Sequence, residues 1–191
     1  MTSSTGHGPD RAPGLVRPAE QGDMPGVCAL VNHYIEHAVA NFRTEPQRPK
    51  EWEELWHAHH GRYPWLVAEQ DGEIAGFCCA GPWKTRGAYA WTAESTVYVG
   101  PDRLGQGLGS RLYRPLLATL AAQGFRSVVA GITLPNPGSV ALHTSMGFEP
   151  AGLIRAAGFK FGAWHDVGYW QLRLAGDGPP GEVLPVPPGA G

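Results

Sequence analysis

Charge is scarce in this chain. Only 17% of its 191 residues are Asp, Glu, Lys or Arg, and the signs nearly cancel at a formal net charge of −2. Without a basic excess, no phosphate-tracking nucleic-acid face is expected. Cysteine is scarce too. Cys28, Cys78 and Cys79 cannot build a disulfide framework, and such use suits a reducing cytosol. No apolar run approaches the ~20 residues of a membrane span. The opening MTSSTGHGPDRAPG lacks the apolar centre of a secretory signal. These absences lead us to expect a cytoplasmic protein with no membrane partner.

Glycine and proline are abundant, at 27 and 18 residues. They crowd the termini, so residues 1–14 and 175–191 read as poorly ordered tails. Between them, residues 15–174 suit one domain with a single core.

Apolar spacing outlines the elements. A short strand at Leu15–Arg17 leads into a helix on which Met24, Val27, Leu30, Val31, Tyr34 and Ile35 recur at three- and four-residue steps. Asp23 is its cap candidate, and Pro25 lies in its first turn. A second helix is expected from about Lys50 to His60. Trp65–Glu69 and Ile74–Ala80 read as a hairpin around Gln70-Asp71-Gly72. Tyr89–Val99 reads as a long strand, followed by a glycine-dense loop, a helix at Ser110–Gln123 and a buried strand at Ser127–Ile132. A short helix near Ser139–Ser145 precedes two strands within Leu153–Leu174, turning at Gly162-Ala163-Trp164. This order predicts an α/β or α+β fold on one mixed sheet. Pro115 removes a backbone donor inside the third helix and should kink it.

Four constellations could carry chemistry. His33-Tyr-Ile-Glu36-His37 has the spacing of an inverted zinc-peptidase motif, yet no third ligand is evident. We read it, with His57, His59 and His60, as polar helix surface, and expect no metal. The loop Arg103-Leu-Gly-Gln-Gly-Leu-Gly-Ser110 is neither a P-loop nor a dinucleotide fingerprint. Its glycines still admit close backbone approach, and the next helix start attracts a phosphate. Glu94 stands mid-strand, sharing a face with Thr92, Thr96 and Tyr98 by alternation. A carboxylate there is costly to bury without a partner or a task. Finally, Asn136 stands just past a strand end, seven residues before His143.

Strand, glycine loop, helix, strand, then Asn-x6-His143-x3-Gly147-Phe148 resembles the layout of the GNAT superfamily of N-acetyltransferases, whose sheet is mixed, mostly antiparallel and flanked by helices. Longer runs, among them Asn41-Phe-Arg-Thr-Glu-Pro-Gln47, Arg62-Tyr-Pro-Trp-Leu-Val-Ala-Glu69, Trp91-Thr-Ala-Glu-Ser-Thr-Val-Tyr-Val99 and Trp164-His-Asp-Val-Gly168, are similar to its phosphinothricin-acetylating branch. The likeness covers nearly all of Leu15–Leu174. It implies acetyl-CoA as co-substrate, an amino-acid-like amine as acceptor, and a homodimer. Methionine sulfoximine or sulfone is the alternative acceptor, and a non-catalytic acyl-CoA-binding module the rival class.

The resemblance also implies roles. Val97, Tyr98 and Val99 would receive the acetyl carbonyl and pantetheine arm through their backbone. Gly105, Gln106, Gly107, Leu108, Gly109 and Ser110 would cradle the pyrophosphate, and Asn136 the pantetheine amide. Glu94 and His143 would face the amine, with Phe42, Lys84, Arg86, Tyr89 and Tyr98 around the substrate. Two positions depart from the superfamily pattern: Leu104 replaces the usual Gln or Arg, and His143 stands where Tyr is usual. An amine with the ~10.4 pKa of lysine is mostly protonated at pH 7, a deficit of roughly 4–5 kcal/mol. A general base is therefore needed. Glu94 is the expected principal base, with His143 as partner base or shuttle.

Overall fold

The computed structural model describes residues 14–175 and 178–189. The expected N-terminal tail, Gly14 apart, lies outside them. Seven strands form one sheet in the order β1-β2-β3-β4-β5-β7-β6. In chain order these are β1 (Leu15–Pro18), β2 (Trp65–Gln70), β3 (Glu73–Pro82), β4 (Thr92–Val99), β5 (Ser127–Leu134), β6 (Glu149–Lys160) and β7 (Ala163–Arg173). The helices are α1 (Met24–His37), α2 (Pro49–His59), α3 (Leu108–Gln123) and α4 (Pro137–Ser145). The expected mixed, mostly antiparallel sheet is thus observed. No described helix is long and apolar enough to cross a membrane.

Most local expectations hold within a few residues, and the exceptions have physical causes. Asp23 does not cap α1 with its side chain. Its carboxylate is taken by Arg17, at 2.7 and 2.8 Å, because a bidentate charged pair outweighs one cap bond. Tyr89 falls in a 3-10 turn at Gly87–Tyr89, so β4 begins only at Thr92. The last hairpin turns at Phe161-Gly162, where both residues have left-handed φ. Helix α3 continues through Pro115 as one element. A helix-interior proline costs about 3 kcal/mol, whereas burying one Leu or similar side chain is worth ~1.5–3 kcal/mol. Leu112, Tyr113, Leu116 and Leu117 are all buried around it.

The C-terminal segment is a further difference. Residues 178–189 form no helix or strand, yet they are not loose. Leu184 N–H donates to Gln123 O (2.9 Å), and Gln123 Nε2 returns a bond to Leu184 O (2.8 Å). Trp91 Nε1 donates to Gly181 O (2.7 Å), and Val183 is buried in the core. A proline-rich chain has less entropy to lose on docking, so a few backbone bonds and one apolar side chain hold it.

The core forms on both faces of the central strands. Ala93 and Ser95 of β4 face α3, where Ser95 Oγ lies 3.0 Å from the Tyr113 hydroxyl. Tyr98, of opposite parity, packs against Tyr34 of α1 at 5.1 Å between ring centroids. The observation that matters most for function is in the parallel pair. β4 and β5 pair only from Thr92–Glu94 to Ser127–Val129. Beyond those residues β5 keeps its ladder with β7, β4 keeps its ladder with β3, and the two strands part.

Candidate active site

Where β4 and β5 part, a cleft of about 830 Å³ opens. One wall is Ser95–Val99 of β4, the other is Gly131–Thr133 of β5, and α4 and the glycine loop close its ends. A strand edge released from its neighbour exposes backbone donors and acceptors that must find other partners. At the loop, Gly105 and Gly107 both have left-handed φ, at 75° and 74°, a conformation that suits glycine. No heavy atom lies within 4 Å of where either would carry a Cβ. Gly107 is the N-cap of α3, so the first N–H groups of that helix point out of this cradle. The site fits the pyrophosphate of a coenzyme A thioester. Gln106 is the loop member that does not line the cleft; its Nε2 donates to Asp102 O at 3.2 Å.

Asn136 lines the cleft as the N-cap of α4, where Oδ1 accepts from Ser139 N–H at 3.1 Å. His143 also lines it, yet is only 3% exposed. Its Nδ1 lies 2.7 Å from Ser139 O, a pure acceptor, so Nδ1 carries the proton. Its Nε2, 2.8 Å from Tyr113 Oη, then accepts from that hydroxyl. Burial pushes the His143 imidazolium below its ordinary range, only partly offset by the Ser139 carbonyl, and keeps the ring neutral. Ser95, Tyr113 and His143 thus form a buried hydrogen-bonded chain in the cleft wall.

Glu94 lies on the other side of β4. Alternation puts it on the face of Thr96 and Tyr98, away from Ser95 and Tyr113. The resemblance has Glu94 and His143 facing one amine; the structure sets them on opposite faces of the strand. Burial raises the Glu94 carboxyl above its usual range, and the positive charge of Lys84 partly opposes that rise. Lys84 also stands 4.5 Å above the Trp83 ring, and the Arg86 guanidinium 5.5 Å from the Tyr89 centroid. Phe42 approaches the hairpin of β6 and β7, 6.3 Å from His165. Tyr98 joins the two groups, because it lines the cleft and its hydroxyl accepts from Asn41 Nδ2 at 3.0 Å.

Ser95, Tyr113 and Asn41 were not among the expected site residues. Tyr113 carried one usable signal, since a tyrosine on the apolar face of a helix needs a buried partner for its hydroxyl. Asn41 carried none. His33 and His37 stack at 4.8 Å on the surface of α1. Among the described residues, no group of three or more His, Cys, Asp or Glu could hold a metal ion.

The pattern of the acetyltransferase (GNAT) family matches residues 29–148. A phosphinothricin N-acetyltransferase of Streptomyces viridochromogenes is 54% identical over 93% of this chain and 97% of its own. An L-methionine sulfoximine/L-methionine sulfone acetyltransferase of Pseudomonas aeruginosa is 35% identical over 83% of this chain and 94% of its own. The structure also resembles a GNAT-superfamily phosphinothricin acetyltransferase of Sinorhizobium meliloti solved in complex with acetyl-CoA. That likeness has a TM-score of 0.81 at 30% identity, covering 85% of this chain and 89% of that one. A 54% identity across nearly the whole chain, on a sheet that opens at the glycine loop, leaves one assignment: the chain belongs to the acetyltransferase (GNAT) family.

Proposed function

We propose that the chain transfers the acetyl group of acetyl-CoA to the free amino group of phosphinothricin, thereby inactivating it. The carrying observation is the cleft between β4 and β5, with the glycine cradle at one end and half-buried Glu94 as the last β4 residue paired with β5 before the strands part. The 54% identical relative supports phosphinothricin as the acceptor.

Acetyl-CoA supplies the acetyl group as an activated thioester. The chain's own residues do the rest. Glu94, its carboxyl raised by burial, is better matched to an ammonium proton than an ordinary glutamate, and takes it directly or through a water. Backbone N–H groups within Val97–Val99 polarise the carbonyl under attack. Neutral His143 has both ring nitrogens engaged, so it acts as partner base or proton shuttle only through the Tyr113 hydroxyl bonded to its Nε2. Lys84 and Arg86 pair with the acidic groups of the acceptor, with Phe42, Tyr89 and Tyr98 shaping the pocket.

The P. aeruginosa relative favours a second acceptor of the same kind, methionine sulfoximine or sulfone, with the same machinery. A panel of amines assayed by CoA release separates them. Rapid release with phosphinothricin supports the first reading, rapid release with the sulfur compounds alone the second, and none with any amine the binding module.

We also propose that the chain works as a homodimer in a reducing compartment, with Cys28, Cys78 and Cys79 as free thiols. Strand β6 is exposed along most of its length, and with the adjoining turn and β7 it presents Phe159, Phe161 and Trp164 at 57%, 61% and 66% exposure. A second copy would cover this apolar edge. Sedimentation of the parent against Trp164→Glu tests it.

A further inference from the structure

Strand β6 is exposed almost throughout, and its last residue is the exception. Lys160 is only 5% exposed, and its ammonium turns inward beneath the end of α1. There Nζ donates to three backbone carbonyls: Ile35 O at 2.7 Å, Ala38 O at 2.9 Å and Asn41 O at 2.6 Å. An ammonium has three N–H donors, so all are used. Lys160 therefore has none left for a ligand, and its work must be done on the chain.

The identity of the three carbonyls shows what that work is. Ile35 belongs to the last turn of α1 and Ala38 is its C-cap, so both carbonyls are helix-end acceptors without an intrahelical donor. A cation there also meets the negative end of the helix dipole. The third carbonyl, Asn41 O, lies beyond the helix. Binding it fixes the loop that leaves α1 at the residue whose side chain reaches the site. Asn41 Nδ2 donates to the Tyr98 hydroxyl at 3.0 Å, and Asn41 Oδ1 accepts from Arg43 N–H at 2.9 Å. The next residue, Phe42, lies against Gly158, two residues before Lys160. A Cβ on Gly158 would come within 2.4 Å of the Phe42 ring. Two positions of one strand thus hold one loop: Lys160 by its backbone and Gly158 by leaving room for an aromatic ring.

We propose that Lys160 is a positioning residue for the acceptor-amine end of the site, holding Asn41 against Tyr98 and Phe42 against Gly158 without touching either substrate. This rests on the acetyl-transfer reading above. Lys160 donates its three bonds to Ile35, Ala38 and Asn41 and none to Gly105–Ser110 or α4, although Ala40 of the anchored loop lines the cleft beside Tyr34 and Tyr98. Loss of the anchor therefore acts mainly on the amine, because the pyrophosphate cradle that holds the coenzyme stands on other elements. A displacement of about 1 Å in a residue that orients a substrate can cost on the order of 100-fold in rate.

The test uses the full chain with Lys160→Met and Gly158→Ala. The first removes the three donors; the second pushes Phe42 away and leaves the carbonyls of α1 untouched. Both are expected to raise KM for the amine roughly 10-fold or more, with acetyl-CoA affinity by calorimetry within about twofold of the parent. Equal losses for the amine and acetyl-CoA would mean a merely structural role and would overturn the proposal. So would an unchanged amine KM in both folded variants. Amide exchange read by mass spectrometry gives an arm independent of the acceptor's identity. Lys160→Met should speed exchange across residues 38–43 and spare α3, and unchanged protection there would also overturn the anchor. If the parent acetylates no amine while exchange responds as expected, the acceptor reading fails and the anchored loop stands.

Discussion

Tyr113 Oη lies 2.8 Å from His143 Nε2, so a hydroxyl from α3 fixes the tautomer of an imidazole on α4. Neither ring nitrogen of His143 is left free, because Nδ1 is spent on Ser139 O. A histidine so held is neutral and oriented before any substrate arrives. Tyr113 is held in turn by Ser95, and burial raises its own hydroxyl well above the ordinary tyrosine range.

Tyr113→Phe should therefore change the pH profile as well as the rate. Without its donor, the neutral Nε2 loses the bond that favoured it, and the His143 imidazolium becomes less disfavoured. The limb of the kcat profile belonging to His143 should move to higher pH. Leaving a buried acceptor unsatisfied costs ~1–3 kcal/mol, so thermal stability should fall as well. Rate against pH, with Tm in parallel, is the measurement; an unmoved limb would separate Tyr113 from catalysis.

Glu94→Gln should lose most of kcat, about 10²- to 10⁴-fold, and retain acetyl-CoA affinity. The same change should raise Tm at neutral pH. The sign follows from linkage: the folded carboxyl binds its proton more tightly than the unfolded one, so its contribution is fully present below the unfolded pKa and is lost as pH rises through the raised folded value. At neutral pH ionised Glu94 is a burden, which Gln relieves. Calorimetry at neutral pH and below the carboxylate range should show the gain shrinking in acid.

Gly107→Asp should weaken acetyl-CoA binding by about 10-fold or more, since it sets an anion at a helix N-terminus meant for a phosphate. Gly107→Asn is the control, nearly isosteric and tolerant of the left-handed φ of 74°. Calorimetric affinities ranked parent, Asn, Asp would support the cradle. Equal affinities for Asn and Asp would point to backbone strain alone.

Arg86→Ala and Lys84→Ala test the acceptor's acidic tail. A lost charge-assisted bond is worth roughly 1.5–3 kcal/mol, about 10- to 150-fold in kcat/KM. The loss should be full for phosphinothricin and small for a plain aliphatic amino acid. For Lys84→Ala the acid limb set by Glu94 should also move to higher pH, because the ammonium that lowers that carboxyl is gone. Equal losses on every amine would assign these cations to the shared amino-acid head.

Much of this protein is written locally. The period-2 alternation of β4 already sets Glu94 apart from Ser95, and the 3.6-residue period of α1 and α3 names their buried faces. The glycine run at 105–109 announces the left-handed turns of that loop, because left-handed φ is a property of single residues. Tertiary structure decided the rest. The parting of β4 from β5 depends on each strand's other neighbour, which no local pattern encodes. The bond from Tyr113 to His143 spans 30 residues, and those from Lys160 to the end of α1 and the loop beyond it span 119 to 125. The C-terminal proline-rich segment reads as a tail by composition and is docked by bonds to Gln123 and Trp91. Local sequence fixes torsions and faces, which need only a few neighbouring residues. A buried polar contact needs two distant surfaces to meet, and their meeting is decided by the packing of the whole chain.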